Sequence, residues 1–337
     1  MLHPARLWKP LNDGKLQCRL CSHFCIIDKN EHGKCGVRQN VDGQLLTRTY
    51  ELVAAINVDP VEKKPLYHFL PGTSTFSLGT QGCNFACTFC QNASLSQHPK
   101  TGREITGQKV TPEILVEAAI SHNCASISYT YSEPTIFFEL MQDTARLAHA
   151  KGLKNVIVSN GFQSPGCIDE LTGLIDAANI DLKAFNDEFY RNVCGGRLSP
   201  VLDNLKHMKK NGWWVEVTTL LIPGKNDSQD ELNQLAAFIS EELGTEVPWH
   251  ISRFHPDYKL QDCPVTPMQA LQRARKTGRD AGLEYVYIGN VPGEENTSTF
   301  CPSCKEEVIK RLGFDVRKTA LQEGMCKYCG CKISGVF

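Results

Sequence analysis

From about residue 71 to residue 295, short apolar runs alternate with stretches whose apolar residues recur at helical spacing. The apolar runs predict strands at Ser74–Leu78, Ser126–Thr130, Asn155–Val158, Ala178–Leu182, Trp214–Ile222, Trp249–Phe254 and Glu284–Ile288. Thr111-Pro112, Ser199-Pro200 and Thr266-Pro267 each set a hydroxyl before a proline, which predicts helix starts. Ser228-Gln229-Asp230-Glu231 reads as a capping box. Gly152, Gly212, Gly244 and Gly282 stand where helices must stop before the next strand. The alternation predicts an α/β fold, a partial (β/α)6 barrel, with an open doubly wound sheet as the other arrangement. In either, a site belongs at the C-terminal ends of the strands. No G-x-G-x-x-G follows the first strand, which weakens a dinucleotide-binding reading.

The flanks read differently. Residues 1–40 are cysteine-rich and irregular. Gln44–Tyr50 and Leu52–Val58 look like a small β hairpin, ended by Asp59-Pro60. Residues 296–337 are again cysteine-rich and short of core. The expected organisation is a cysteine-rich segment plus hairpin over 1–70, the barrel over 71–295 and a metal-binding module over 296–337.

The 337 residues are 41% hydrophobic and 22% charged, as in a globular protein with a sizeable core. Lys+Arg 36 against Asp+Glu 37 provides no broad basic surface, so nucleic acid is not an expected partner. No apolar run is long enough to span a membrane, and the first residues lack a signal-peptide stretch, so a cytoplasmic location is expected. Cysteine is the outlier: 16 are present, and eleven fall in three clusters. Without a secretory signal, such clusters read as metal ligands rather than disulfides.

The central cluster, Gly82-Cys83-Asn84-Phe85-Ala86-Cys87-Thr88-Phe89-Cys90, has C-x3-C-x2-C spacing. Three thiolates on one loop can hold three corners of a cubane cluster and leave one iron open to an outside ligand. Structural zinc would require a fourth ligand, and none is near in sequence. The loop resembles the signature of the radical S-adenosylmethionine (SAM) superfamily, in which an aromatic residue, here Phe89, precedes the third cysteine. The resemblance implies a [4Fe–4S] cluster on Cys83, Cys87 and Cys90. Its open iron would chelate SAM, and reductive cleavage would give a 5′-deoxyadenosyl radical that abstracts hydrogen from substrate.

Tyr131-Ser132-Glu133-Pro134 follows the second strand, where the superfamily has a Gly-Gly-Glu segment; by that match Glu133 holds the SAM amino group. Read from the residues alone, Ser132 caps the next helix, with Glu133 in its first turn. Ser159-Asn160-Gly161-Phe162, Asp181-Leu182-Lys183 and Arg253-Phe254-His255-Pro256 resemble matching segments of glycyl-radical-enzyme activases. That resemblance puts Ser159, Asn160 and Lys183 against SAM, Lys183 at its carboxylate, and His255 beside its ribose and sulfonium. Val158 stands where the activase has an aspartate. Asp181 and Lys183 point the same way along a strand, so a plain ion pair is the competing reading. His250 reads as a satisfied core histidine, and Lys63, Lys64 and His68 as a solvated face near the site.

Cys18-x2-Cys21-x3-Cys25-x9-Cys35 offers four thiolates, for zinc or for a second iron–sulfur cluster; spacing does not separate the two, and His23 is a possible competing ligand. Cys301-x2-Cys304 and Cys326-x2-Cys329 come close to a zinc ribbon, with Cys331 as a spare thiol. Cys124, Cys167, Cys194 and Cys263 read as buried small hydrophobes.

The whole pattern resembles the radical SAM enzyme of the AmmeMemoRadiSam system, a pyruvate formate-lyase activating enzyme-like family. The resemblance rests on Cys18–Cys25, Gly33–Arg38, Asp59–Phe69, Gly82–Asn92, Tyr285–Gly293 and the last cysteines. It implies an electron donor such as flavodoxin or ferredoxin, and Memo-type and AMMECR-type proteins as possible partners. The substrate stays open between a glycyl radical protein and another protein or small molecule. A metal-binding scaffold or electron carrier without SAM chemistry is the reading from another class.

Overall fold

The computed structural model describes residues 2–291 and 297–337. Pro292 and Gly293, and the expected boundary at residue 295, lie outside the described residues. The central sheet has eight strands: β1 (Ala55–Pro60), β2 (Ser74–Gly79), β3 (Ser126–Tyr129), β4 (Lys154–Ser159), β5 (Ala177–Asp181), β6 (Trp214–Leu221), β7 (Trp249–Arg253) and β8 (Val286–Gly289). They lie in sequential order, and all neighbours from β2 to β8 are parallel. The principal connecting helices are α1 (Pro112–Ser121), α2 (Phe138–Ala150), α3 (Pro165–Leu171), α4 (Leu198–Lys210), α5 (Gln229–Ala237) and α6 (Met268–Asp280). Six βα units and a last strand therefore follow in series. The strands read as near-continuous apolar runs because helices cover one face while the other encloses an interior.

Three local expectations shift. Gln44–Thr47 pairs with Arg38–Val41, not with the chain after it. Asp42 and Gly43 both adopt positive φ (48° and 83°) in the two-residue turn between them, the Asp-Gly hairpin signal. That leaves Ala55–Pro60 free to pair antiparallel with β2, from Ala55 opposite Gly79 to Pro60 opposite Ser74. Second, α4 starts at Leu198, ahead of the expected Ser199 cap; Asp187 Oδ1 accepts the Leu198 N–H at 2.9 Å. Third, the capping box is half-formed. Ser228 accepts the Glu231 N–H, but Glu231 accepts the Phe185 N–H at 2.8 Å instead of returning the bond.

The segment Pro65–His68 crosses the interior beneath the site, with Pro65 on the cavity wall. Asn179 of β5 donates to the Pro65 carbonyl, and Glu216 of β6 accepts the N–H groups of Tyr67 and His68. Glu216 also bonds His250 of β7 at 2.6 Å, so His250 is the satisfied core histidine expected. His68 is not solvated: it is fully buried, bonded to the Tyr287 hydroxyl and the Ser334 carbonyl, each at 2.7 Å. Through Ser334 and the buried Arg311, which donates to the Tyr67 carbonyl, the C-terminal module locks onto this plug.

Burial holds the His68 imidazole down at about 4. The folded value lies below the usual 6.5, so the associated stability is complete above pH 6.5 and is lost as pH falls from there towards 4. The loss reaches about 3 kcal/mol, at 1.36 kcal/mol per unit. Thermal melts between pH 7.5 and 4.5 should show that fall, and His68→Gln should flatten it. An equal slope in the variant would sink the assignment.

Candidate active site

One cavity of about 520 Å³ opens at the C-terminal ends of the strands, where a (β/α) sheet places function. Its size lies within the roughly 300–1,000 Å³ of small-molecule sites. The loop after β2 brings Cys83, Cys87, Phe89 and Cys90 to the wall. Glu133 arrives after β3, Ser159 and Asn160 at the end of β4, and Asp181 and Lys183 at the end of β5. Four segments far apart in sequence thus converge on one space.

The cysteine loop is braced from behind. Cys83 Sγ accepts the Phe85 N–H at 3.3 Å, and Cys90 Sγ lies 3.1 Å from Ser96 Oγ. The Ala86 and Thr88 N–H groups bond the carbonyls of Cys194 and Val193. Burial pushes the Cys83 thiol well up. A hydrogen bond to Cys194, then burial, do the same for Cys87. Cys194 is buried as expected, but it sits behind Cys87 and does not line the cavity.

Glu133 gathers a hydrogen-bond cluster at the cavity wall. One carboxylate oxygen accepts the Thr135 N–H (3.0 Å), the Thr135 hydroxyl and the Ser159 hydroxyl (2.8 Å); the other accepts the Asn160 N–H (2.9 Å). Burial raises its pKa despite these donors. Glu133 lines the cavity, and it also caps the turn Pro134–Phe137. That cap is Glu133, not the expected Ser132. Ser132 Oγ is buried at the cavity without a partner. Asn160 Nδ2 donates to Asn84 Oδ1 at 2.7 Å and lies 3.8 Å from Cys83 Sγ, linking strand end to cysteine loop.

Lys183 donates to Asp181 at 2.8 Å, the ion pair anticipated from alternation. Burial alone would lower Lys183, but Asp181 and the nearby thiols hold it well above its usual value. His255 is exposed and does not line the cavity; its Nε2 lies 3.0 Å from Gln91 Nε2, and Gln91 does line it. Val158 lines the wall without a carboxylate of its own.

The sequence reading set Lys63 and Lys64 near the site but missed the buried group formed there on the same wall. Lys64 is buried and donates to Asp59 at 2.6 Å, and the Tyr131 hydroxyl donates to Asp59 at 2.7 Å. Burial would raise Asp59, but Lys63, Lys64 and Tyr131 together pull its carboxylate below the usual range. Tyr131 adopts φ +66°, a strained value for an aromatic residue. The four- and five-residue spacing of Asp59 to Lys63 and Lys64 was the available signal, and it reads equally well as surface charge. Phe314, from the tip between β9 (Glu307–Leu312) and β10 (Asp315–Thr319), also lines the cavity; nothing in its local sequence marks it.

Three thiols on one wall, a buried carboxylate beside them and an orphaned hydroxyl fit a cubane cluster with a polar ligand on its open corner. The Radical SAM superfamily profile matches residues 77–238, which hold all of these residues. The chain belongs to the radical SAM superfamily, whose members are enzymes; the family implies a [4Fe–4S] cluster and SAM, and the chemistry is SAM-dependent and radical. It is 45% identical over 334 residues to the uncharacterized protein MJ0808 of Methanocaldococcus jannaschii, covering 98% of this chain and 99% of that one. It is 23% identical over 208 residues to the pyruvate formate-lyase 1-activating enzyme of Escherichia coli, covering 58% and 84% respectively. The SAM-bound structure of SuiB from Streptococcus suis aligns with a TM-score of 0.51 at 14% identity, covering 68% of this chain and 53% of that one, a likeness of fold.

At the C-terminus, Cys301, Cys304, Cys326 and Cys329 could bind a metal. Among the described residues they are the only group of three or more His, Cys, Asp or Glu whose ligand atoms all lie within 4.8 Å of one another. Cys18, Cys21, Cys25 and Cys35 are not that compact, and His23 is engaged elsewhere, bonded to the Asn84 carbonyl.

Proposed function

We propose that this protein cleaves SAM reductively at a cluster held by Cys83, Cys87 and Cys90, and uses the radical on a substrate other than a glycyl radical enzyme. The observation that carries the reading is the single cavity that gathers those thiols with Glu133, Ser159, Asn160, Lys183 and the unpartnered Ser132. When bound, the cluster supplies the electron that breaks the SAM sulfur–carbon bond. Glu133 takes the SAM amino group, Lys183 meets its carboxylate by sharing Asp181, and Phe89 packs beside the third cysteine. His255 reaches the ribose side from the rim. The buried Lys64–Asp59–Tyr131 group faces the substrate.

The pyruvate formate-lyase activating relative favours a second reading, a glycyl-radical-enzyme activase. Two further cysteine cages beyond the catalytic loop favour the first. Membership of the AmmeMemoRadiSam type, with Memo-type and AMMECR-type partners, a flavodoxin or ferredoxin donor and a cytoplasmic setting, completes the proposal. No helix among the described residues is long and apolar enough to cross a membrane. The C-terminal cage suits zinc in a ribbon-like module. Its Cys301–Cys329 and Cys304–Cys326 sulfurs lie 3.6 and 3.7 Å apart. Four sulfurs about 2.3 Å from one tetrahedral ion would be about 3.8 Å apart.

The test is anaerobic reconstitution with iron and sulfide, reduction, and addition of SAM. 5′-Deoxyadenosine should accumulate. If a filled cluster produces none, the scaffold or electron-carrier reading replaces this one.

A further inference from the structure

The cysteines at 18, 21, 25 and 35 are more than a folding staple. The chain folds back on itself to bring them together: the Cys18 N–H donates to the Cys25 carbonyl at 2.9 Å, and the Phe24 N–H closes a tight turn on the Cys21 carbonyl at 3.0 Å. Arg38 supplies a buried positive charge. It is 1% exposed, its Nη1 lies 4.0 Å from Cys18 Sγ, and its Nε has no partner. A cage of four thiolates around a metal centre is negative; Arg38 is ion-paired with Glu139 through Nη2, and the positive end of that pair is the counter-charge turned to the cage.

Spacing separates this cage from the C-terminal one. The C-terminal sulfurs have the compactness of a single ion's ligands; the N-terminal sulfurs do not, and neither do those of Cys83, Cys87 and Cys90. A cubane carries iron at four corners and holds its thiolates farther apart than one ion does.

The cage also touches the catalytic loop. Gly82, next to Cys83, has φ +117°, and a Cβ there would come within 2.7 Å of Val37 Cγ1 and 3.4 Å of the Cys35 carbonyl. His23 donates its Nε2–H to the Asn84 carbonyl at 2.8 Å. Ser22 donates from both N–H and hydroxyl to the carbonyls of Phe162 and Gln163, immediately after Asn160.

We propose that Cys18, Cys21, Cys25 and Cys35, with Arg38 as counter-charge, hold a second [4Fe–4S] cluster that serves as the electron entry to the catalytic loop. The entry role rests on the function proposed above; the site itself does not. One electron leaves a low-potential donor of the ferredoxin or flavodoxin class and reduces the outer cluster by one. That electron passes inward as the outer cluster is reoxidised, and no bond or proton is exchanged.

The test is metal and sulfide analysis with low-temperature EPR on two reconstituted proteins, the parent and a Cys83→Ala/Cys87→Ala/Cys90→Ala variant. The expected result is about eight irons per chain in the parent and about four, with a reducible EPR signal that SAM leaves unchanged, in the variant. Arg38→Met should move the midpoint potential of that residual signal to more negative values. About four irons in the parent, with zinc rising from one to two per chain, would overturn the proposal. The parent count decides even if the triple variant fails to fold. Two filled clusters without 5′-deoxyadenosine would instead sink the proposed function and leave the second site standing.

Discussion

Alanine at Cys83 is expected to abolish 5′-deoxyadenosine formation, whereas Glu133→Gln should leave it measurable at about a hundredfold higher SAM concentration. Cys83 is one of three thiols on the cavity wall among the described residues, and Cys194, which bonds Cys87, does not line the cavity. No neighbour can take its place, so the loss should be complete. Glu133 is different. One carboxylate oxygen takes the Thr135 and Ser159 donors and the other the Asn160 N–H; glutamine keeps an acceptor for the first pair only. Under the proposed function, glutamine also loses the negative charge assigned to the SAM ammonium. A hydrogen bond to a charged group at a buried site is worth about 1.5–3 kcal/mol, and each 1.4 kcal/mol is tenfold in affinity. Nucleoside formation measured against SAM concentration, at equal iron content, separates the two variants. Residual turnover in Cys83→Ala, or unchanged SAM dependence in Glu133→Gln, would refute the respective assignment.

The second large effect concerns stability. Glu139 opens α2 and receives Arg38 and the Arg6 N–H, so it ties the N-terminal segment to the sheet. Both side chains of the Arg38–Glu139 pair are 1% exposed. Glu139→Ala strands a guanidinium away from water, which costs about 3–5 kcal/mol. At about 2–4 °C per kcal/mol the melting temperature should fall on the order of 10 °C. Arg38→Met combined with Glu139→Leu removes both charges and should recover most of the loss. A double variant as unstable as Glu139→Ala would show that the packing, not the charge, matters.

The sequence was most legible where one residue type has one job. Each parallel strand appears within a residue or two of its apolar run, because a strand covered on both faces has no other composition to offer. The C-x3-C-x2-C loop was readable because its chemistry needs that spacing. Lys64 and His68 were read as surface because charge in a short segment usually is. Only the chain crossing the interior, held by Asn179 and Glu216, buries them. Thr266 shows the same limit. Its hydroxyl donates to the Leu221 carbonyl and accepts the Phe254 N–H, fastening two strand ends instead of capping α6. Such pairings are long-range, and no local pattern encodes them.

Phe314 stands at the cavity rim although its module begins after the family match has ended at residue 238. The wall therefore joins the matched segment to pieces outside it, Lys63–Pro65, Ser252, Asn290 and Phe314, and the Phe314 tip can change independently of the rest. Lengthening or shortening the turn Gly313–Phe314 would resize the entrance without disturbing a single cysteine of the catalytic loop. Related chains could exchange that tip to admit different reactants while keeping the same radical generator, and trimming to the matched region would remove part of the doorway.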